Sequence, residues 1–187
     1  MGVIMYIEEV FDFNLVERVT DTIKSNKRCC LYYSPTQTTA FVGYKNNIDA
    51  EQAQQYDVKV LKLNNEGGVI ISDKGSLIIG AFFDEANDFQ QTLAYNICQK
   101  IIGKGYKAEI IGNDIIVEDE FKVASFSSRR FGKTLFGSFQ ISFTVNIELI
   151  KSLCTKPMRK IPRGLNYYNI YFDEIFLIFL NTLNNFS

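Results

Sequence analysis

An Asn113-Asp114 pair, the acidic turn Glu118-Asp119-Glu120 and the run Lys122-Val123-Ala124-Ser125 lie within one short stretch of this 187-residue chain. If the chain turns at the acids, Asp114 and Lys122 fall opposite or nearly opposite each other, with Cβ atoms roughly 5–8 Å apart. A carboxylate can hold magnesium together with phosphate oxygens. An ammonium is a compact charge suited to the junction of a carboxylate and a phosphate, where negative charge concentrates as an acyl–phosphate bond forms. The pattern therefore points to joining a carboxylic acid to a nucleotide phosphate. Gly67-Gly68, in the polar loop Asn64-Asn65-Glu66-Gly67-Gly68, could bring backbone N–H groups close to the same ligand. Singly these signals are weak. Asn-Asp is commonly a strand-entry turn, Gly-Gly a hairpin and an isolated lysine a solvated charge.

The elements that must position these residues can be read from periodicity. A helix is expected from Asn14, with Glu17 as capping-box partner and Val16, Val19 and Ile23 on one face. Strands are expected over 28–34 and 39–44, separated by a Ser-Pro turn, then a short polar helix over 50–56 and strands over 58–63, 69–72 and 77–83. The clearest helix runs over 88–102: Phe89, Leu93, Ile97 and Ile101 recur every four residues, and Asp88 with Gln91 resembles a capping box. Next comes a strand over 108–112, then the hairpin. A strand over 135–145 has strict alternation, with Leu135, Gly137, Phe139, Ile141, Phe143 and Val145 on one face and Phe136, Ser138, Gln140, Ser142 and Thr144 on the other. Asn146 is placed to cap a helix ending near Cys154, and a basic loop leads to a C-terminal helix. Strand pairs with helices between them define an α+β fold: mixed or mostly antiparallel sheets with flanking helices, one sheet face covered and the other open to a ligand.

Composition narrows the chemistry. An apolar content of 47% can build a sizeable core, and one domain spanning 1–187 is the expectation. Twenty basic against 21 acidic residues leave a net charge of -1, which argues against nucleic acid or an anionic membrane as partner. No histidine is present, so Ser-His and Cys-His dyads are excluded. The four cysteines (Cys29, Cys30, Cys98, Cys154) show no metal spacing and suit a reducing cytoplasm. The first residues lack the pattern of a signal peptide. The apolar run from Ile175 to Leu180 is too short to span a bilayer and reads as a docked helix. Richness in Ile, Asn, Lys and Phe points to an AT-rich coding sequence, viral or low-GC bacterial.

The order and spacing of Lys62 to Asp73, Asn113-Asp114, Lys122-Val123-Ala124 and Gly137 resemble the biotin/lipoate protein ligase catalytic domain, whose fold is class II synthetase-like. The likeness is strongest to the lipoate–protein ligases and octanoyltransferases and covers roughly residues 30–164. It implies lipoate or octanoate as substrate, ATP and magnesium as cofactors, and transfer of the acyl group to a lysine of a lipoyl-type carrier domain. It implies Lys122 as the catalytic lysine and Asp114 as the magnesium ligand. Gly67, Gly68, Asn113, Ser125 and Gly137 become substrate- or nucleotide-binding residues. The basic loop through Lys156-Pro157 to Arg163-Gly164 would hold the nucleotide or dock the carrier.

Four positions depart from the family pattern. An arginine pair reads Lys62-Leu63, the first loop glycine is Glu66, His-Asp reads Ser72-Asp73, and the histidine before the strand glycine is Phe136. The attacking cysteine of the octanoyltransferases is Lys133. These departures keep a second expectation alive: a module that holds an acyl ligand, nucleotide or carrier domain without turnover.

Overall fold

The computed structural model describes residues 6–11, 15–25, 27–63, 68–158 and 160–186. Among the described residues eleven strands and five α-helices follow one another. They are β1 (Tyr6–Glu9), α1 (Leu15–Ser25), β2 (Cys29–Tyr33), β3 (Thr39–Gly43), α2 (Ala50–Gln55), β4 (Lys59–Leu63), β5 (Val69–Ser72), β6 (Leu77–Phe82) and α3 (Ala86–Gly103). Then come β7 (Ala108–Ile111), β8 (Asp114–Val117), β9 (Phe121–Phe131), β10 (Thr134–Ile141), α4 (Ile147–Leu153), β11 (Ile161–Pro162), a 3₁₀ turn (Leu165–Tyr168) and α5 (Phe172–Asn184). The large sheet is ordered β1-β2-β6-β10-β9-β8-β7, with β11 pairing to β9, and the small sheet β4-β3-β5. Both are mixed, because β1–β2, β3–β4 and β9–β11 are parallel and the other pairs antiparallel. The α+β architecture is as the periodicity indicates.

The four-residue repeat of α3 explains the main core. Phe89, Leu93, Ile97 and Ile101 are all fully buried against Ile79, Ala81, Ile115, Val117, Phe139 and Ile141 of the large sheet. Helix α5 completes that layer through Ile175, Phe179 and Leu183. Its apolar run is thus a docked helix, and among the described residues no helix is long and apolar enough to cross a membrane. On the sheet's other face, Leu31, Tyr33, Phe41 and Phe82 form a second cluster with Val19 and Ile23 of α1 and with Phe136. A third, containing Ala40, Val42, Ala53, Leu149 and Leu153, joins the small sheet to α2 and α4.

Several boundaries differ from the sequence reading. β2 and β3, like β5 and β6, are consecutive but belong to different sheets, so their short connections are crossovers and not hairpins. Helix α3 begins at Ala86 after Glu85, with no side-chain cap, because Ala86 N–H already bonds the Phe83 carbonyl; Asp88 and Gln91 lie inside it. β10 stops at Ile141, where Ser142 turns aside to bond the Val123 carbonyl and the Leu165 amide. Asn146 caps α4, its side chain accepting from Leu149 N–H. In α1, Val16 is 42% exposed while Val19 and Ile23 pack inward; Asn14 lies outside the described residues.

Helices α3 and α5 are also tied electrostatically. Glu174 Oε1 lies 2.6 Å from Lys100 Nζ and 3.6 Å from Lys104 Nζ, and its carboxylate accepts from Tyr171 N–H. The bond from Lys100, then that from Tyr171, holds the Glu174 carboxyl below the ordinary carboxylate range. A depressed carboxyl stabilises the fold above its unfolded value, and that contribution is lost as pH falls through the folded one. The difference in urea midpoint between the wild type and Glu174→Gln is therefore expected to be largest near neutrality and to shrink towards zero in acid. A difference independent of pH would contradict this.

Candidate functional site

The hairpin β8–β9 closes at Val117 and Phe121, and from there Lys122 pairs with Ile116. A β-bulge follows, so that Ala124 pairs with Ile115 and Ser125 with Asp114, leaving Val123 as the extra residue. The bulge has a specific effect. Lys122 and Ser125 are an odd number of residues apart, yet both share the face of Asp114, while Val123, Ala124 and Phe126 pack into the helix-side core. Lys122 and Asp114 are diagonal neighbours, Nζ to Oδ1 3.7 Å, each about one third exposed.

The main chain of Lys122 is held on both sides. β9 runs past the end of β10, and β11 takes the vacant edge: Pro162 pairs with Lys122, and Arg163 N–H bonds the Lys122 carbonyl at 2.9 Å. The Arg163 guanidinium lies over the Phe121 ring (3.1 Å to the centroid) and the Tyr167 ring (4.3 Å), which fixes that junction. On the far side of the junction Ile48 bridges to Cys154, and Asp49 N–H bonds the Leu153 carbonyl.

These elements enclose a cavity of about 580 Å³, within the range typical of small-molecule sites. Its floor is Asp114, Lys122, Ser125 and Gln140; β5 supplies Val69, Ile70 and Ile71, and Gly68 sits at the edge. The far wall runs from Ile150 through Cys154 to Pro162. Among the described residues four lysines (Lys45, Lys122, Lys156, Lys160) line it against one carboxylate, Asp114, so their field suits an anion.

Of the residues singled out from sequence, Gly68, Asp114, Lys122 and Ser125 meet here. Asn113 and Gly137 do not line the cavity. Asn113 is exposed in the β7–β8 turn, its carbonyl accepting from Phe126 N–H. Gly137 lies on the helix-side face, where a Cβ would come within 2.8 Å of Gln90 Cδ; the glycine admits Gln90, whose Nε2 bonds the carbonyls of Ser127 and Ser138. Gly67 lies outside the described residues. Phe136 packs on Phe82, ring centroids 4.8 Å apart, away from the cavity. Asp73, buried, accepts from Thr38 Oγ1 and Asn146 N–H, so it braces the start of α4.

Sequence reasoning did not single out Gln140, Ser142, Lys45 or the asparagines Asn46 and Asn47 as lining residues. For Gln140 and Ser142 the signal was present in the polar face of the β10 alternation. For the 45–47 turn there was none. The thiols are not activated: burial raises all four, Cys98 to about 11, so none is a ready nucleophile at neutral pH.

Among the described residues no cluster of three acidic, cysteine or histidine groups could cage a metal. A magnesium ion arriving on a nucleotide needs less, one or two carboxylates with the rest from phosphate and water, and Asp114 meets that need.

No protein-family model and no curated protein matches the sequence. Solved structures do match the fold. The bipartite lipoate protein ligase of Thermoplasma acidophilum, described with its E2 lipoyl domain, is 10% identical with a TM-score of 0.73 over 98% of this chain and 84% of that one. A lipoate-protein ligase A bound with ATP is 11% identical, TM-score 0.74, over 97% and 83%. The Leishmania major biotin protein ligase in complex with biotinyl-5-AMP is 14% identical, TM-score 0.53, over 96% and 72%. The chain thus has the fold of the biotin/lipoate protein ligase catalytic domain.

Proposed function

We infer that this protein joins a carboxylic acid, lipoate or octanoate in the first instance, to a lysine of a lipoyl-type carrier domain by way of an acyl-adenylate. The observation that carries the reading is the meeting of Asp114, Lys122 and Ser125 on the floor of a lysine-rich cavity in a fold shared with lipoate ligases. A relative of this fold was solved with ATP and another with lipoic acid.

In the first step a carboxylate oxygen of the acid attacks the α-phosphorus of ATP, and the bond to pyrophosphate breaks. Lys122 lies where its ammonium can offset charge on both the acyl and phosphoryl oxygens. Asp114 would hold the magnesium that enters with the nucleotide, and the ion would offset charge on the phosphate oxygens. Lys45, Lys156 and Lys160 supply cations for the phosphates. In the second step the unprotonated ε-amine of the carrier lysine attacks the acyl carbonyl. A C–N bond forms, AMP leaves and the amine loses its proton.

The test is intact mass of a lipoyl domain incubated with the protein, ATP, magnesium and lipoate or octanoate. The expected result is a gain equal to the acyl group, lost when ATP is omitted. An unchanged carrier mass would count against turnover. A second reading, binding without turnover, is favoured by one observation: Lys62, where the family carries arginine, is exposed, with Nζ bonded to the Asn46 carbonyl and Asn47 Oδ1 at the cavity rim. Thermal stabilisation by the acid or the nucleotide with no product formed would select it.

A further inference from the structure

The cavity floor is a polar row crossing three strands. Asp114 of β8 faces Ser125 of β9, which faces Gln140 of β10. Gln140 ends the row and spans the gap between the two sheets: its Nε2 donates to the Ile71 carbonyl (3.1 Å) and to Ser72 Oγ (2.6 Å) on β5. A carbonyl can only accept, so the first bond fixes which end of the amide meets β5. That leaves Oε1 without a protein donor among the described residues, on a side chain that lines the cavity. Behind Gln140 the space is filled: Ile78, its partner on β6, packs in the cluster of Phe41, Phe82 and Phe136. Asp114 and Gln140 lie two inter-strand steps apart, ~10 Å, so an acid held at the Lys122–Asp114 end of the row would bring its far end to Gln140.

We propose that Gln140 is the specificity-determining residue of this cavity, selecting acids whose far end carries an O–H or N–H donor over plain hydrocarbon acids of the same length. The inference rests on the acid-binding reading given above and narrows it: octanoate is an acid the site accepts, ranked below acids of like length that end in a donor. A hydrocarbon end strips water from Oε1 and returns no hydrogen bond, whereas a donor restores it. The closed aromatic cluster behind Gln140 prevents a longer chain from passing the amide.

The test is calorimetric titration of the full chain with hexanoate and 6-hydroxyhexanoate, and with octanoate and 8-hydroxyoctanoate. In at least one pair the hydroxy acid is expected to bind the wild type about ten-fold more tightly. Gln140→Leu is expected to reverse that preference, with its unfolding midpoint measured alongside. Gln140→Met, closer in length and flexibility, serves if the leucine variant does not fold. Equal affinities in both pairs, or a ratio unchanged in a folded variant, would overturn the assignment and leave the acid-binding reading standing. Absence of binding by all four acids to the wild type would overturn both.

Discussion

Lys122→Ala is expected to slow carrier acylation by roughly 10²–10³-fold, the cost of removing one preorganised donor from a site of developing negative charge. The protein should remain folded. The Lys122 side chain is 37% exposed and its ion pair with Asp114 is partly solvated, so the change in stability should stay within about 1 kcal/mol. Its backbone pairing with Ile116 and Pro162 and the bond it accepts from Arg163 N–H do not depend on the side chain. Lys122→Arg keeps the charge but replaces a compact ammonium with a planar fork, so it should recover only part of the rate. Single-turnover formation of acyl-adenylate, followed by release of pyrophosphate, separates loss of chemistry from loss of binding. Wild-type rates in Lys122→Ala would remove this lysine from the reaction.

Gly164→Ala is expected to be the most damaging glycine-to-alanine change among the described residues. Gly164 is buried just after β11, and a Cβ there would overlap the carbonyl of Phe143 and press on Thr144 Cα. These are backbone atoms, so the neighbour cannot swing aside as a flexible side chain would. Leu165 N–H bonds the Ser142 carbonyl and Asn166 N–H the Phe143 carbonyl at the same contact, which holds the two segments together. Overpacking of this kind costs about 3 kcal/mol. Equilibrium unfolding in urea should show the loss, with Gly103→Ala as comparison, since nothing lies within 4 Å of a Cβ at Gly103. A Gly164→Ala midpoint equal to wild type would mean that the two segments separate freely.

How far the site could be read in advance depended on the range of the interactions that build it. Local patterns were legible: the α3 stripe, the β10 alternation, the Asn146 cap and the β8–β9 hairpin all follow from spacing of 3.6 or 2 residues. The pairing of Asp114 with Lys122 was legible for the same reason, because both lie in one hairpin. The distribution of β2 to β6 over two sheets was not, since a turn of five residues can close a hairpin or carry the chain to another layer. Gly137 stood in a conspicuous position for a different cause: Gln90, forty-seven residues earlier, needs the space. The inward role of Gln140 depends on Ser72, in the other sheet, and no local period reports a contact of that kind.

The wall of the cavity has a consequence for binding. Cys154, bridged to Ile48, and Pro162 with Arg163, paired to β9, are two supports on which that wall rests. Both supports are made by the fold's own backbone bonds and need no guest to form. The entropy of ordering these supports is lost once, when the chain folds, and each binding event is spared that loss.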